Sequence, residues 1–171
     1  MQDKAGDIMK SKDFYTFTGY MKKEKGLTAA MEDYIEMIYR LSMDKGFTRI
    51  NDLSNSLNVQ PPSATKAVQK LAELNLADYE KYGYITLNEE GKKLGEGLLR
   101  RHMMVEEFLR LLGVSDNILE EVEKIEHILD EETLECISYF VSFIKDNPEI
   151  EDKYMLYKAG RQTYINAKID S

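Results

Sequence analysis

Cysteine is almost absent from this chain: Cys136 stands alone among 171 residues, so no intrachain disulfide can form. It lies beside apolar helix positions, where an inert buried thiol is expected rather than a nucleophile. Long apolar runs are also missing, and none approaches the roughly 20 residues that cross a bilayer. The start, Met1-Gln-Asp-Lys-Ala-Gly-Asp, lacks the basic onset and apolar stretch of a signal peptide. These absences predict a cytoplasmic protein with no membrane partner. What is present, 43% hydrophobic and 32% charged residues, describes an ordinary globular chain with one sizeable core or two small domains.

Positive charge is scarce, with a net charge of −8, but its distribution matters more than its sum. Residues 115–135 hold nine acids against Lys124, a local excess that equals the whole net charge. Residues 49–82 balance Arg49, Lys66, Lys70 and Lys81 against Asp52, Glu73, Asp78 and Glu80. Affinity for DNA in that stretch must therefore come from arrangement rather than from net charge.

The first 26 residues have weak periodicity and a basic bias, and they read as an arm. Thr28 can cap a helix over about residues 29–45, with Met31, Tyr34, Ile35, Ile38 and Leu41 on one apolar stripe ended by Gly46. A short helix over 50–57 and a second over 61–74, begun by Pro61-Pro62, are joined by the tight link Asn58-Val59-Gln60. Segments 76–80 and 84–87 then alternate as a two-stranded hairpin. Helix-turn-helix plus hairpin is a winged helix. A long helix from Asn88 or Glu89 to Leu112 follows. Ser115 or Asp116 is expected to cap the next, and another starts near Glu131 and buries Leu134, Ile137, Phe140, Val141 and Ile144. The fold class is thus mainly α: an arm (1–26), a winged-helix DNA-binding domain (27–88), an all-helical metal-binding and dimerisation domain (89–146) and a helical tail (147–171). Apolar faces wider than one small core needs predict a homodimer.

Histidine is scarce as well. His102 and His127 are the two that occur, each among carboxylates at helical spacing. Residues three or four apart share a helix face, so Glu123, Glu126 and His127 converge on one point, as do Asp33 and Glu36. That pattern suggests a metal site assembled from distant helices.

Several of these motifs, in order along residues 28–144, carry a resemblance. Met31-Glu-Asp33-Tyr-Ile-Glu36-Met-Ile-Tyr39, the helix from Pro61 to Leu71, Gly91-Lys-Lys-Leu, Arg101-His102 and Val122-Glu123-x-x-Glu126-His127 resemble the manganese transport regulator branch of the diphtheria toxin repressor family. The resemblance implies metal-activated homodimers that bind operator DNA and repress manganese uptake. It also implies six metal ligands, Asp33, Glu36, His102, Glu123, Glu126 and His127. Iron-responsive members carry methionine at the position of Asp33 and cysteine at that of Glu123, and usually append an SH3-like domain not expected in a chain of this length. The arm, together with Pro62 and Ala64 in the recognition helix, departs from the family pattern.

The donor chemistry agrees with that implication. Four carboxylates and two imidazoles, with no thiolate nearby, are hard or borderline ligands that suit Mn²⁺, and Fe²⁺, Co²⁺ and Zn²⁺ are expected competitors in vitro. Four negative charges balance two divalent cations, which points to two ions per subunit bridged by Glu123 or Glu126. A solvated acidic face and satisfied core histidines are the bland alternatives, and six filled ligand positions weigh against them.

Function follows as an expectation: a metal-dependent repressor of metal-uptake genes, not an enzyme, that binds a palindromic double-stranded operator. Metal would clip the winged helix to the dimerisation helices and fix the spacing of the recognition helices. Ser63, Thr65 and Gln69 are placed to reach base edges, and Lys66, Lys70, Lys81 and Tyr82 to hold phosphates. Two alternatives remain open at this point, a winged-helix regulator answering an organic ligand and a dimetal carboxylate enzyme. Against the latter, the chain has no Glu-x-x-His motif of the ferritin-like kind.

Overall fold

The computed structural model describes residues 26–80 and 83–169, with side chains described as far as Arg161. Residues 1–25 of the expected arm, and the wing residues Lys81 and Tyr82, lie outside the described residues. The described residues form two compact units, divided between Arg101 and His102.

In the first unit, α1 (Ala29–Ser42) is capped by Thr28, whose hydroxyl accepts from the Met31 N–H at 3.3 Å. Helices α2 (Ile50–Ser56) and α3 (Pro61–Glu73) follow, the second opened by proline where a missing N–H costs nothing. Asn58 turns the chain between them at φ 52°, a left-handed conformation that asparagine tolerates. Strands β2 (Ala77–Tyr79) and β3 (Tyr84–Leu87) form the expected antiparallel hairpin, with Ala77 opposite Leu87 and Tyr79 opposite Ile85. The sheet also has a third strand that the sequence pattern does not predict. This strand, β1 (Thr48–Arg49), pairs with the other edge of β3, giving the order β1-β3-β2. Two residues are too few to show alternation, which is why it escapes a reading by periodicity.

Ile35, Ile38, Leu53, Val68, Leu71 and Ile85 are all fully buried in one core, so three helices and the sheet share an interior. Helix α4 (Glu89–Leu111) leaves this core. Asn88 caps it by accepting from the Gly91 N–H at 2.9 Å, while its own amide donates to the Asn75 carbonyl at 2.6 Å. Two glycines let α4 sit close: a Cβ on Gly91 would fall 2.0 Å from the Leu76 oxygen, and one on Gly95 would fall 2.6 Å from Tyr39 Cβ. Leu94 and Leu98, on the same face, are buried. At the end of the unit, Arg101 Nη2 donates to Glu32 Oε2 of α1 at 2.7 Å, with the side chains only 5% and 2% exposed.

The second unit holds the remainder of α4, then α5 (Ile118–Ile125), α6 (Glu131–Asp146) and α7 (Pro148–Ile169). The α4 end is closed from α7: Lys158 Nζ donates to the Leu112 and Gly113 carbonyls, and the Tyr154 hydroxyl to Leu112 at 3.2 Å. A cation at a helix C-terminus also meets the negative end of the dipole. The cap expected at Ser115 or Asp116 is not formed. Asn117, at φ 54°, precedes α5 instead and makes no side-chain cap bond. Asp130 caps α6, accepting from the Thr133 N–H at 2.8 Å, and that bonding holds its carboxyl below the usual range.

Helix α6 buries Leu134, Ile137, Val141 and Ile144 as its pattern predicts, but two expectations fail there. Cys136 is exposed, because it stands two residues, about 200° of helical rotation, from Leu134 and so falls off the inner stripe. Phe140 lies at the margin of that stripe, 40% exposed, with its ring edge against Phe108 at 5.8 Å. Tyr139, Phe143, Leu156 and Tyr157 of this unit are exposed as well. No helix among the described residues is long and apolar enough to cross a membrane.

The Glu32–Arg101 pair gives a test of what joins α1 to α4. Arg101→Met alone, which strands a buried carboxylate, should lower stability by about 3–5 kcal/mol, whereas Glu32→Met with Arg101→Met should recover most of the loss. Urea unfolding of the three proteins checks this.

Candidate metal centre

Helices α4 and α5 bring an imidazole and two carboxylates together inside the second unit. His102 is buried on α4, and its Nδ1 lies 3.3 Å from Glu126 Oε2, 3.4 Å from Glu126 Oε1 and 3.8 Å from Glu123 Oε1. His127 Nε2 lies 3.7 Å from Glu126 Oε1. Ligand atoms of Glu123, Glu126 and His127 all lie within 4.8 Å of one another. Glu123 and Glu126 share a face because they are three residues apart, and the turn that ends α5 at Ile125 presents Glu126 and His127 in succession. Glu126 is central and only 1% exposed, while Glu123 is open to solvent.

The other two expected donors belong to the first unit. Asp33 is half-buried on α1, where burial and then its negative charge push the Tyr34 phenol above its ordinary range. Glu36 is buried and ion-paired with Arg40 one turn on, at 2.5 Å. Sequence reasoning quoted Arg101 beside His102 but identified none of Glu32, Arg40 and Arg101 as a charged partner. The i,i+4 spacing of Glu36 and Arg40 was a usable signal for one pair, but nothing local connects Glu32 with Arg101, 69 residues away.

Does this donor set suit a metal? A buried carboxylate oxygen ordinarily has a hydrogen-bond donor, and leaving one unmatched is expensive. Glu126 Oε2 makes no hydrogen bond among the described residues, and the nitrogen beside it is His102 Nδ1 at 3.3 Å. Oxygen and imidazole donors crowded around a partly satisfied anion fit a divalent cation, which would supply the missing positive charge.

The expected DNA-contacting residues sit less uniformly. Ser63, Lys66, Gln69 and Lys70 are exposed along α3, and Lys70 is ion-paired with Glu73 at 2.9 Å. Thr65 is half-buried, and its hydroxyl donates back to the Pro61 carbonyl at 2.9 Å, so its oxygen can offer DNA only acceptor capacity.

A winged helix followed by helices that carry such a donor set defines a metal-dependent, DNA-binding transcriptional regulator. Residues 26–85 match the iron dependent repressor N-terminal DNA binding domain, and residues 88–154 the iron dependent repressor metal binding and dimerisation domain. The chain belongs to this iron-dependent repressor family. Its partners are accordingly DNA and a second copy of itself, its cofactor is a divalent metal, and it is not an enzyme. It is 46% identical over 121 residues to the HTH-type transcriptional regulator MntR of Oceanobacillus iheyensis, covering 70% of this chain and 82% of that one. With the protein of the same name from Geobacillus thermodenitrificans it shares 44% over 137 residues, 79% of this chain and 97% of the other. Among solved structures, the manganese regulator SloR superposes with a TM-score of 0.58 at 30% identity, covering 66% of this chain and 54% of that one. T. acidophilum IdeR gives 0.56 at 31% identity, with 62% and 51% covered, so the chain spans about half the length of both solved proteins.

Glu126→Gln removes the charge and keeps the shape. Because the wild-type carboxylate is incompletely satisfied, the metal-free Tm should hold or rise, while affinity for a divalent metal falls tenfold or more, about 1.4 kcal/mol. Calorimetric titration and thermal melts separate the two effects.

Proposed function

We propose that this protein is a manganese-responsive repressor of metal-uptake genes that acts in the cytoplasm. The observation that carries this reading is the buried Glu126 carboxylate, with one oxygen making no hydrogen bond among the described residues, set between His102, His127 and Glu123. An all-oxygen-and-imidazole donor set favours Mn²⁺ over softer metals, and the related MntR and SloR proteins support that choice. The proposed ligands are Asp33, Glu36, His102, Glu123, Glu126 and His127, with two ions per subunit because four carboxylates balance two divalent charges.

When bound, the metal supplies positive charge to carboxylates that otherwise repel one another. Asp33 and Glu36 then hold α1 of the winged helix in one orientation, and His102, Glu123, Glu126 and His127 do the same for the dimerising unit. Recognition helices so constrained in a dimer fit half-sites of a palindromic operator about one helical turn apart, or a multiple of that. Ser63, Thr65 and Gln69 read base edges, while Lys66, Lys70, Lys81 and Tyr82 hold phosphates.

Fluorescence anisotropy on operator DNA tests the reading directly. Mn²⁺ should raise affinity, and a chelator should remove the gain; equal binding in both conditions would refute it. Within α3, Gln69→Ala should relax preference at one operator position, a loss of about 1–3 kcal/mol of discrimination, whereas Lys66→Ala should weaken all sequences alike and flatten the salt dependence. A binding-site selection on both variants distinguishes these outcomes.

A further inference from the structure

We infer that Arg49, at the base of the wing, is a preset phosphate contact for the DNA backbone. The chain has six arginines, and four of them are neutralised by carboxylates: Arg40 by Glu36, Arg100 by Glu96, Arg101 by Glu32 and Arg110 by Glu106. In the winged-helix unit Arg49 is the exception. No carboxylate among the described residues lies within ion-pair distance of it, although the chain carries an excess of acids.

Its side chain is nevertheless held. The Tyr84 hydroxyl accepts from Arg49 Nη2 at 2.7 Å, and the guanidinium carbon lies 4.7 Å from the centre of the same ring. Tyr84 is fixed in turn by the edge of Phe47, with ring centroids 4.6 Å apart at 88°. The backbone register is also set, because Arg49 of β1 pairs directly with Tyr84 of β3. An exposed arginine ordinarily surrenders rotamer freedom when a ligand orders it, and here much of that ordering already exists. Of its five N–H donors the Tyr84 hydroxyl takes one.

Location supplies the ligand class. Arg49 immediately precedes α2, the first helix of the helix-turn-helix, which in this motif crosses the phosphate backbone while the second helix enters the groove. It also lies one strand from the wing. A planar, permanently charged fork fixed at that junction, facing no protein carboxylate, matches a phosphodiester.

This inference rests on the DNA-binding role of the family and not on the proposed ligand set, so the experiment measures metal uptake separately. Salt-dependent binding of the Mn²⁺-loaded dimer to operator and to unrelated duplex DNA is compared for wild type, Arg49→Ala, Arg49→Lys and Tyr84→Phe. Arg49→Ala should weaken both DNAs by on the order of tenfold, and a dimer that loses two phosphate contacts should show a salt slope shallower by about 1.8. Arg49→Lys should keep the slope and lose part of the affinity. Tyr84→Phe, which keeps the ring and removes the acceptor, should likewise weaken binding with the slope intact. Calorimetry should show Mn²⁺ uptake unchanged in all three. A wild-type slope in Arg49→Ala, a loss confined to one base position, or a loss that tracks reduced metal uptake would each overturn the inference.

Discussion

The winged helix is tied to the helix that leaves it by one buried contact between opposite charges, Glu32 on α1 and Arg101 on α4. Taking two such ions out of water costs several kcal/mol each, and only close hydrogen-bonded geometry offsets the loss. Leucine or methionine would have given similar stability with less demand on orientation. What the ion pair adds is a demand on how α1 lies against α4, because a guanidinium and a carboxylate bond well over a narrow range of positions. Gly91 and Gly95 make the approach possible by removing the side chains that would collide with Leu76 and Tyr39. Asp33 and Glu36 stand on the helix so fixed, so the pair sets the frame from which these two proposed ligands project.

Charge in the second unit is divided with similar economy. Its acid-rich segment has a single lysine, and that lysine is fully engaged: Lys124 lies 2.9 Å from Glu120 and 3.0 Å from Glu121, and these hydrogen bonds raise its pKa. Asp130 is occupied in capping α6. Glu126 faces the imidazoles of His102 and His127 while buried. A segment that directs its own cation away from its most buried carboxylate keeps that carboxylate available for a cation from solution.

Much of this architecture was legible in the sequence, for reasons that also explain what was not. Helical periodicity over α1, α3 and α4, the proline start of α3 and the hairpin pattern of β2 and β3 are local signals, and the elements lie close to where those signals put them. The spacing of Glu123, Glu126 and His127 is local too, and the structure groups these residues. Strand β1 was invisible because pairing with β3, not composition, makes it a strand. Asn117 adopted the left-handed conformation where a serine or aspartate cap was expected, a choice set by how the chain re-enters α5. Cys136 was misplaced because apolar neighbours in sequence are not neighbours on a helix. The Glu32–Arg101 pair, spanning 69 positions, is a tertiary fact with no local trace.

An acidic regulator of DNA faces a further constraint, since its own field opposes the approach to a polyanion. The described structure answers partly by location: the excess of acids lies in the second unit, while the winged helix carries exposed Lys66 and the tyrosine-held Arg49. With the two ions per subunit proposed above, the formal charge of −8 would be halved, so metal would act on affinity in two ways at once. One is geometric, through the orientation of the winged helix, and the other is the relief of long-range repulsion. Salt separates them, because repulsion across more than a Debye length of about 8 Å is screened at physiological ionic strength while a fixed helix orientation is not. A metal effect that persists at high salt therefore belongs to geometry, and the part that fades belongs to the field of the acidic unit.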